Sequence, residues 1–213
     1  MAFYVRNLYG QFWGKYISKY VPFTEEFVWN SRASIFDVDQ FLHINNAMYL
    51  RLCEYSRWAW ASCAHMIDFW KKKRCYPVIS LLSIRYRRPI TLFTKYCIKS
   101  RIVHVAEHSF YITHKFYVKD ELMCSVLIEL RIVSAKGQLN CIDLFHEFTG
   151  AESIPSVDTD QYLKQGIDLF HALEAVLLEK PLSELHVTPA SMATPTDPVP
   201  AQHETNDDKP KEA

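Results

Sequence analysis

Glycine is scarce, five residues in 213, and none stands in a phosphate-cradling loop or a G-x-S-x-G turn. The nucleotide-binding and serine-hydrolase signatures that depend on glycine's backbone freedom are therefore missing. The six cysteines, Cys53, Cys63, Cys75, Cys97, Cys124 and Cys141, contain no C-x-x-C pair, and no His/Cys cluster has zinc spacing. Most lie in apolar runs, where cysteine serves as a small hydrophobe. Reduced, structural thiols in an intracellular compartment are the expectation. No stretch reaches the roughly 18 uninterrupted apolar residues of a membrane span, and no secretory signal is recognisable. Lys119-Asp120-Glu121-Leu122 spells an endoplasmic-reticulum retention word, but inside the chain it carries no address. Net charge is absent as well, 24 basic against 24 acidic residues, which leaves no bulk case for nucleic-acid binding. The balance hides an asymmetry. From Thr188 onward there are five acids and two lysines, so the rest of the chain carries 22 basic and 19 acidic residues, a surplus of 3 compatible with an anionic small ligand.

What is present is apolar and aromatic residue, 49% and 14% of the chain, which specifies a globular core. The length suits one domain with appendages. Four segments follow from the pattern: 1–24, 25–135, 136–187 and 188–213. In the first, Val5, Leu8, Tyr9, Phe12, Trp13, Tyr16, Ile17 and Tyr20 share one helix face, with Arg6, Lys15 and Lys19 on the other. Two readings stand side by side: a membrane-surface or mitochondrial-targeting helix through residues 3–20, and a helix packed on the domain. The last segment holds five of the ten prolines and is expected to be disordered.

Between them, Phe27 to Phe36 reads as a strand, and Asp37 to Asn45 as a turn. A helix from Asn46 to about Lys72 is apolar almost all round, so it should be buried on most sides, with Asn45 or Asn46 as its cap. Four strands follow, Pro77–Tyr86, Lys95–Val105, Ser109–Lys119 and Leu122–Ser134. Phe110, Ile112, His114, Phe116 and Val118 alternate onto one face. Consecutive strands in hairpin succession pair antiparallel. The resulting class is α+β, an antiparallel sheet wrapped round one long buried helix, with N- and C-terminal helical extensions. A short helix near Ile142–Phe148 and an amphipathic one around Thr159–Leu178 supply the latter.

The run Asp37-Val38-Asp39-Gln40-Phe41-Leu42-His43-Ile44-Asn45-Asn46-Ala47-Met48-Tyr49-Leu50, continued by Glu54 and Arg57 and by Tyr86-Arg87-Arg88-Pro89-Ile90, resembles the D-x-x-G-H-x-N-N-x-x-Y-L pattern of hotdog-fold thioesterases of the 4-hydroxybenzoyl-CoA thioesterase-like branch. It is most similar to eukaryotic thioesterase-like proteins with an N-terminal membrane-associating segment, and the resemblance spans about Phe27 to Val133. It implies an acyl-coenzyme A substrate, no cofactor beyond the coenzyme A of that substrate, and a homodimer joined through its sheets. It also implies that Asp39 is the nucleophile or the base for water, and that the Asn46 N–H polarises the thioester carbonyl. A helix N-terminus suits that task, because its free N–H groups and dipole stabilise a developing oxyanion. Asp39 as a turn residue is the rival reading, and Asp37 the adjacent alternative. His43 is a candidate to orient the thioester or carry a proton. Asn45, Tyr49, Glu54, Arg87 and Arg88 are candidate substrate contacts. Glu54 doubles as a second candidate acid or as the ion-pair partner of Arg51 or Arg57. Leu42 stands where the family pattern has glycine. The glycine-proline turn of the hydratase branch is missing, which argues against dehydration. A non-catalytic acyl-binding or structural subunit remains the competing function.

Overall fold

The computed structural model describes residue 8, residues 19–155 and residues 161–178. The expectations for residues 1–18 and for the tail from 188 lie outside the described residues. Ten elements follow one another: β1 (Phe27–Arg32), α1 (Asn46–Cys63), α2 (Met66–Lys73), β2 (Cys75–Tyr86), β3 (Lys95–Val105), β4 (Phe110–Val118), β5 (Glu121–Ser134), β6 (Gly137–Gln138), α3 (Cys141–Thr149) and α4 (Gln161–Leu177). The strands form one antiparallel sheet in the order β1-β3-β4-β5-β2, with β6 paired to β5. The inward row of β4, Phe110, Ile112, His114 and Phe116, is buried as the alternation predicts. It meets the apolar face of α1, including Leu52, Cys53 and Trp60, in one core. This is the hotdog arrangement.

Three boundaries differ from the sequence reading. The first strand ends at Arg32 rather than Phe36, because Asp37 accepts hydrogen bonds from the Ser34 N–H (2.9 Å) and hydroxyl (2.7 Å) and turns the chain. The single helix expected from Asn46 to Lys72 is two helices. His65 adopts φ 59° and breaks the ladder between α1 and α2. Histidine is among the residues that tolerate this left-handed region best. The break turns α2 back so that Trp70 meets Trp58 edge-on at 6.1 Å. The domain also begins before residue 25: Phe23 is 7% exposed and packs on Trp60 at 4.5 Å.

The C-terminal extension is part of the fold. α3 sends Phe145 into the main core beside Phe110. α4 covers the opposite face of the sheet, where Ile167 and Phe170 pack on Val103 and Tyr111. The sheet is thus covered on both faces, while its edge strand β2 leaves Tyr76, Val78, Ile79, Leu82 and Tyr86 exposed. All six cysteines are free.

Candidate active site

The loop ahead of α1 is a tight double-backed turn. The Asp39 N–H donates to the His43 carbonyl (2.9 Å), the Leu42 N–H donates to the Asp39 carbonyl (3.0 Å), and Val38 bridges Ile44. The far arm of this turn is anchored to residues 90–92: Ile44 N–H to Ile90 O at 2.8 Å, Leu92 N–H to Leu42 O at 2.8 Å, and a bridge between His43 and Thr91. The geometry forces Leu42 into the left-handed region, φ 59°, with its side chain 57% exposed. This explains the glycine of the family pattern: a residue without Cβ takes that conformation freely, whereas an L-residue is strained there by roughly 1–2 kcal/mol.

Asn45 is the N-cap. Its side-chain oxygen accepts from the Ala47 N–H at 2.9 Å, and its carbonyl accepts from the Met48 N–H at 2.8 Å. Of the first three helical N–H groups only that of Asn46 lacks a partner among the described residues. An open donor at a helix N-terminus is a place for a carbonyl oxygen that gains negative charge. The Asn46 carbonyl is held by the Tyr86 hydroxyl at 2.9 Å, which ties β2 to this end of α1. One carboxylate oxygen of Asp39 accepts from the Phe41 N–H at 2.9 Å, the turn role foreseen as its rival. Asp39 and His43 are both half-buried, and Asn45 and Asn46 are exposed. Asp37 is fully buried with its carboxylate committed to Ser34, so it belongs to the scaffold.

The remaining candidates do not gather at this loop. Tyr49 is 2% exposed and sits in a ring cluster with Tyr86 (5.4 Å) and Phe116 (5.0 Å). Burial pushes its hydroxyl up to about 12. It offers the core, not a ligand, its surface. Arg88 is exposed and paired with Glu121 at 2.5 Å; Arg87 is exposed beside it. Glu54 lies eight residues into α1, about 12 Å of helix rise from Asn46. It lines a cavity of about 330 Å³ between α1, α2, α3 and the sheet, which none of Asp39, His43, Asn45 and Asn46 touches. Glu54 and Arg57 make no salt-bridge contact among the described residues, the pairing anticipated as one option, but the Glu54 carboxylate still favours the Arg57 cation through space.

Sequence reasoning missed a buried polar chain beneath α1. Arg57 donates to His114 Nε2 (3.3 Å), which assigns the ring proton to Nδ1, and Nδ1 donates to Ser100 Oγ at 2.7 Å. Ser100 Oγ lies 3.0 Å from Ser56 Oγ. Burial first, and then the Arg57 charge, holds His114 well below the ordinary histidine range. The available signal was a histidine and a serine on inward rows of otherwise apolar strands. A shallow groove lined by Arg32, Lys95 and Lys119 on β1, β3 and the β4–β5 turn is a second feature the motif did not announce.

The Thioesterase-like superfamily profile matches residues 34–174, about two thirds of the chain. The chain is 31% identical over 106 residues to the zebrafish (Danio rerio) protein THEM6, covering 50% of this chain and 52% of that one. It is 31% identical over 81 residues to the Drosophila melanogaster THEM6, covering 38% and 42%. The chain thus spans about half the length of the curated relatives it matches. In fold it is similar to the probable thioesterase YbaW of Escherichia coli, with a TM-score of 0.55 at 20% identity over 57% of this chain and 95% of that one. It is also similar to the 1,4-dihydroxy-2-naphthoyl-CoA thioesterase Slr0204 of Synechocystis, with a TM-score of 0.52 at 12% identity, covering 59% and 95%. With the antiparallel sheet, the enclosed helix and the capped loop before it, these matches identify the chain as a hotdog-fold member of the thioesterase-like superfamily.

Proposed function

We propose that this protein hydrolyses acyl-coenzyme A thioesters at the loop preceding α1. The observation that carries the reading is the unpartnered Asn46 N–H at the start of α1, in the same short segment as Asp39. The thioester oxygen accepts from that N–H, and the carbonyl carbon becomes electrophilic. Asp39 takes a proton from water as the oxygen of that water bonds to the carbon. The C–S bond then breaks, and the coenzyme A thiolate leaves and is protonated, releasing the free acid. His43, half-buried across the turn from Asp39, orients the thioester. Arg87 and the groove of Arg32, Lys95 and Lys119 are suited to the coenzyme's phosphates, because lysine and arginine pair with phosphate by charge-assisted hydrogen bonds. The test is a panel of aliphatic and aromatic acyl-CoA esters with free thiol as readout; absence of turnover on every ester overturns the assignment. In that event the competing reading, a non-catalytic acyl-binding subunit, takes its place, and the strained Leu42 with the committed Asp39 oxygen is the observation favouring it.

Two further parts of the reading concern assembly and location. An exposed edge strand carrying five large apolar side chains is a template for pairing with another chain, so two copies join through β2. Light scattering should report a dimer, and Leu82→Lys a monomer; a wild-type monomer refutes the pairing. Residues 3–20 carry an aromatic face opposite Arg6, Lys15 and Lys19, which suits peripheral contact with an anionic membrane or mitochondrial targeting. Co-sedimentation with anionic vesicles by the full chain, but not by a chain beginning at Lys19, is the expected result; equal behaviour of the two removes the proposal.

A further inference from the structure

The face of β2 that looks toward α1 is not sealed by packing. Tyr86, Leu82 and Ile79 pair across the sheet with Cys124, Ile128 and Leu130, all buried in the main core. Cross-strand partners share a face, so the three side chains point to the α1 side. They nevertheless stay 38%, 36% and 40% exposed. The facing helix repeats the pattern. Asn46, Leu50, Glu54 and Trp58 recur every four residues and share one side of α1. Asn46 is exposed and the other three are half-buried. The two rows start together, pinned where the Tyr86 hydroxyl donates to the Asn46 carbonyl at 2.9 Å. They also end together, since Ile79, Glu54 and Trp58 all line the cavity between α1, α2, α3 and the sheet. A half-open, largely apolar groove thus leads from the open Asn46 N–H into that cavity.

We propose, resting on the thioesterase reading, that the groove and cavity hold the chain of a long aliphatic acyl thioester whose carbonyl sits at the Asn46 N–H. Length carries this. Asn46 to Trp58 is twelve residues, about 18 Å of helix. An extended chain advances roughly 1.2 Å per bond, so about twelve to sixteen carbons reach from the loop to the far wall. An octanoyl chain ends before the cavity, whose first lining residue on α1, Glu54, lies about 12 Å from Asn46. An aromatic acyl group ends shorter still. Charge agrees. Glu54 and Arg57 both stand in the cavity wall, and the carboxylate favours the cation through space, so the wall is balanced and calls for an uncharged occupant. A cavity of about 330 Å³ is near the lower end for small-molecule sites and takes the tail of the chain, not coenzyme A. Trp58 and Trp70, edge-on at 6.1 Å, close its end and set the chain length accepted.

The probes are the non-hydrolysable thioethers S-octyl- and S-tetradecyl-coenzyme A, titrated against the full chain below their aggregation limits and read by tryptophan emission. The tetradecyl probe should bind at least about a hundredfold more tightly, well within what burying the six further methylenes supplies. Ile79→Trp narrows the way into the cavity and should remove most of that preference. Trp58→Ala opens the far wall and should shift the preference toward S-octadecyl-coenzyme A. Neither substitution should change the affinity for the octyl probe. Three of the five tryptophans, Trp58, Trp60 and Trp70, line the cavity. A bromine on the last carbon of the tetradecyl chain should therefore quench emission strongly, and one on the third carbon weakly. Myristoyl-CoA should be hydrolysed in preference to octanoyl- and benzoyl-CoA. Equal affinity for the two thioethers, a preference that both variants leave intact, or equal quenching by the two bromines overturns the proposal. A thioether preference without turnover of any ester keeps the groove and removes the thioesterase reading. Should a variant fail to fold, bromine placement on the unaltered chain decides alone.

Discussion

The two ends of α1 are built to opposite plans. At its N-terminus the chain makes a thin turn, spends most of its hydrogen bonds on itself, and leaves one N–H and one strained side chain facing outward. At its C-terminal half the chain closes over the helix with α2 and α3 and forms a largely apolar cavity with Glu54 and Arg57 in its wall. The difference follows from what each end can recruit. The far end has α2, α3 and Phe23 from its own chain to exclude water. The near end has only the loop, residues 90–92 and the exposed edge β2. A site there is shallow within one chain and gains depth only from a second copy.

The comparison breaks most visibly if the closed end is opened. A chain beginning at Lys19 keeps Val21 and Phe23 and serves as the reference. A chain beginning at Glu25 loses the Phe23–Trp60 contact and should be about 3–5 kcal/mol less stable, the scale of deleting a core phenylalanine. Equal stability of the two would place Phe23 outside the core. The open end is probed by chemistry instead. Asp39→Asn retains an oxygen for the Phe41 N–H but removes the base. It should lower kcat on a good acyl-CoA by about a hundredfold with an unchanged melting temperature, and wild-type turnover in this variant would end the role given to Asp39.

A smaller effect separates the ends by pH. His114 is held neutral under α1, its pKa well below the ordinary 6.5, chiefly by burial and then by Arg57. The unfolded chain takes up a proton as pH falls through about 6.5, whereas the folded chain does not. Stability conferred by neutral His114 is thus complete above that pH and declines below it, by up to about 1.4 kcal/mol per pH unit until the folded-state pKa is reached. Urea titrations between pH 7 and 5 should show this slope, and His114→Gln should flatten it; an unchanged slope assigns the acid sensitivity elsewhere. The smallest effect is expected at the turn. Leu42→Gly relieves the left-handed strain of roughly 1–2 kcal/mol and gives back about 0.5–1 kcal/mol in chain entropy. The urea midpoint should rise slightly, and a fall would show that the exposed leucine is held by contacts worth more than its strain.

Read along the chain, residue patterns alone determined the strand succession, the buried helix and the capped turn ahead of it. Those features are local: alternation of period two in β4 and β5, apolar residues all round α1, and Asn45 placed to take the Ala47 N–H are set by neighbours within a few residues. The motif around Asp39 was legible for the same reason, as was the anomaly of Leu42, although its left-handed backbone became visible only once residues 90–92 were seen to fix the turn. Tertiary structure decided everything that joins distant segments. It broke the long helix at His65, where the rings of Trp58 and Trp70 meet, and it drew Phe23 and Phe145 into the core. It also covered the back of the sheet with α4 and committed Tyr49 to a ring cluster. It also turned Arg57 toward the buried His114, although the helical spacing of Glu54 and Arg57 reads as an ion pair. Spacing fixes which side chains share a helix face, but packing against the sheet decides which of them find partners and which are left facing a cavity.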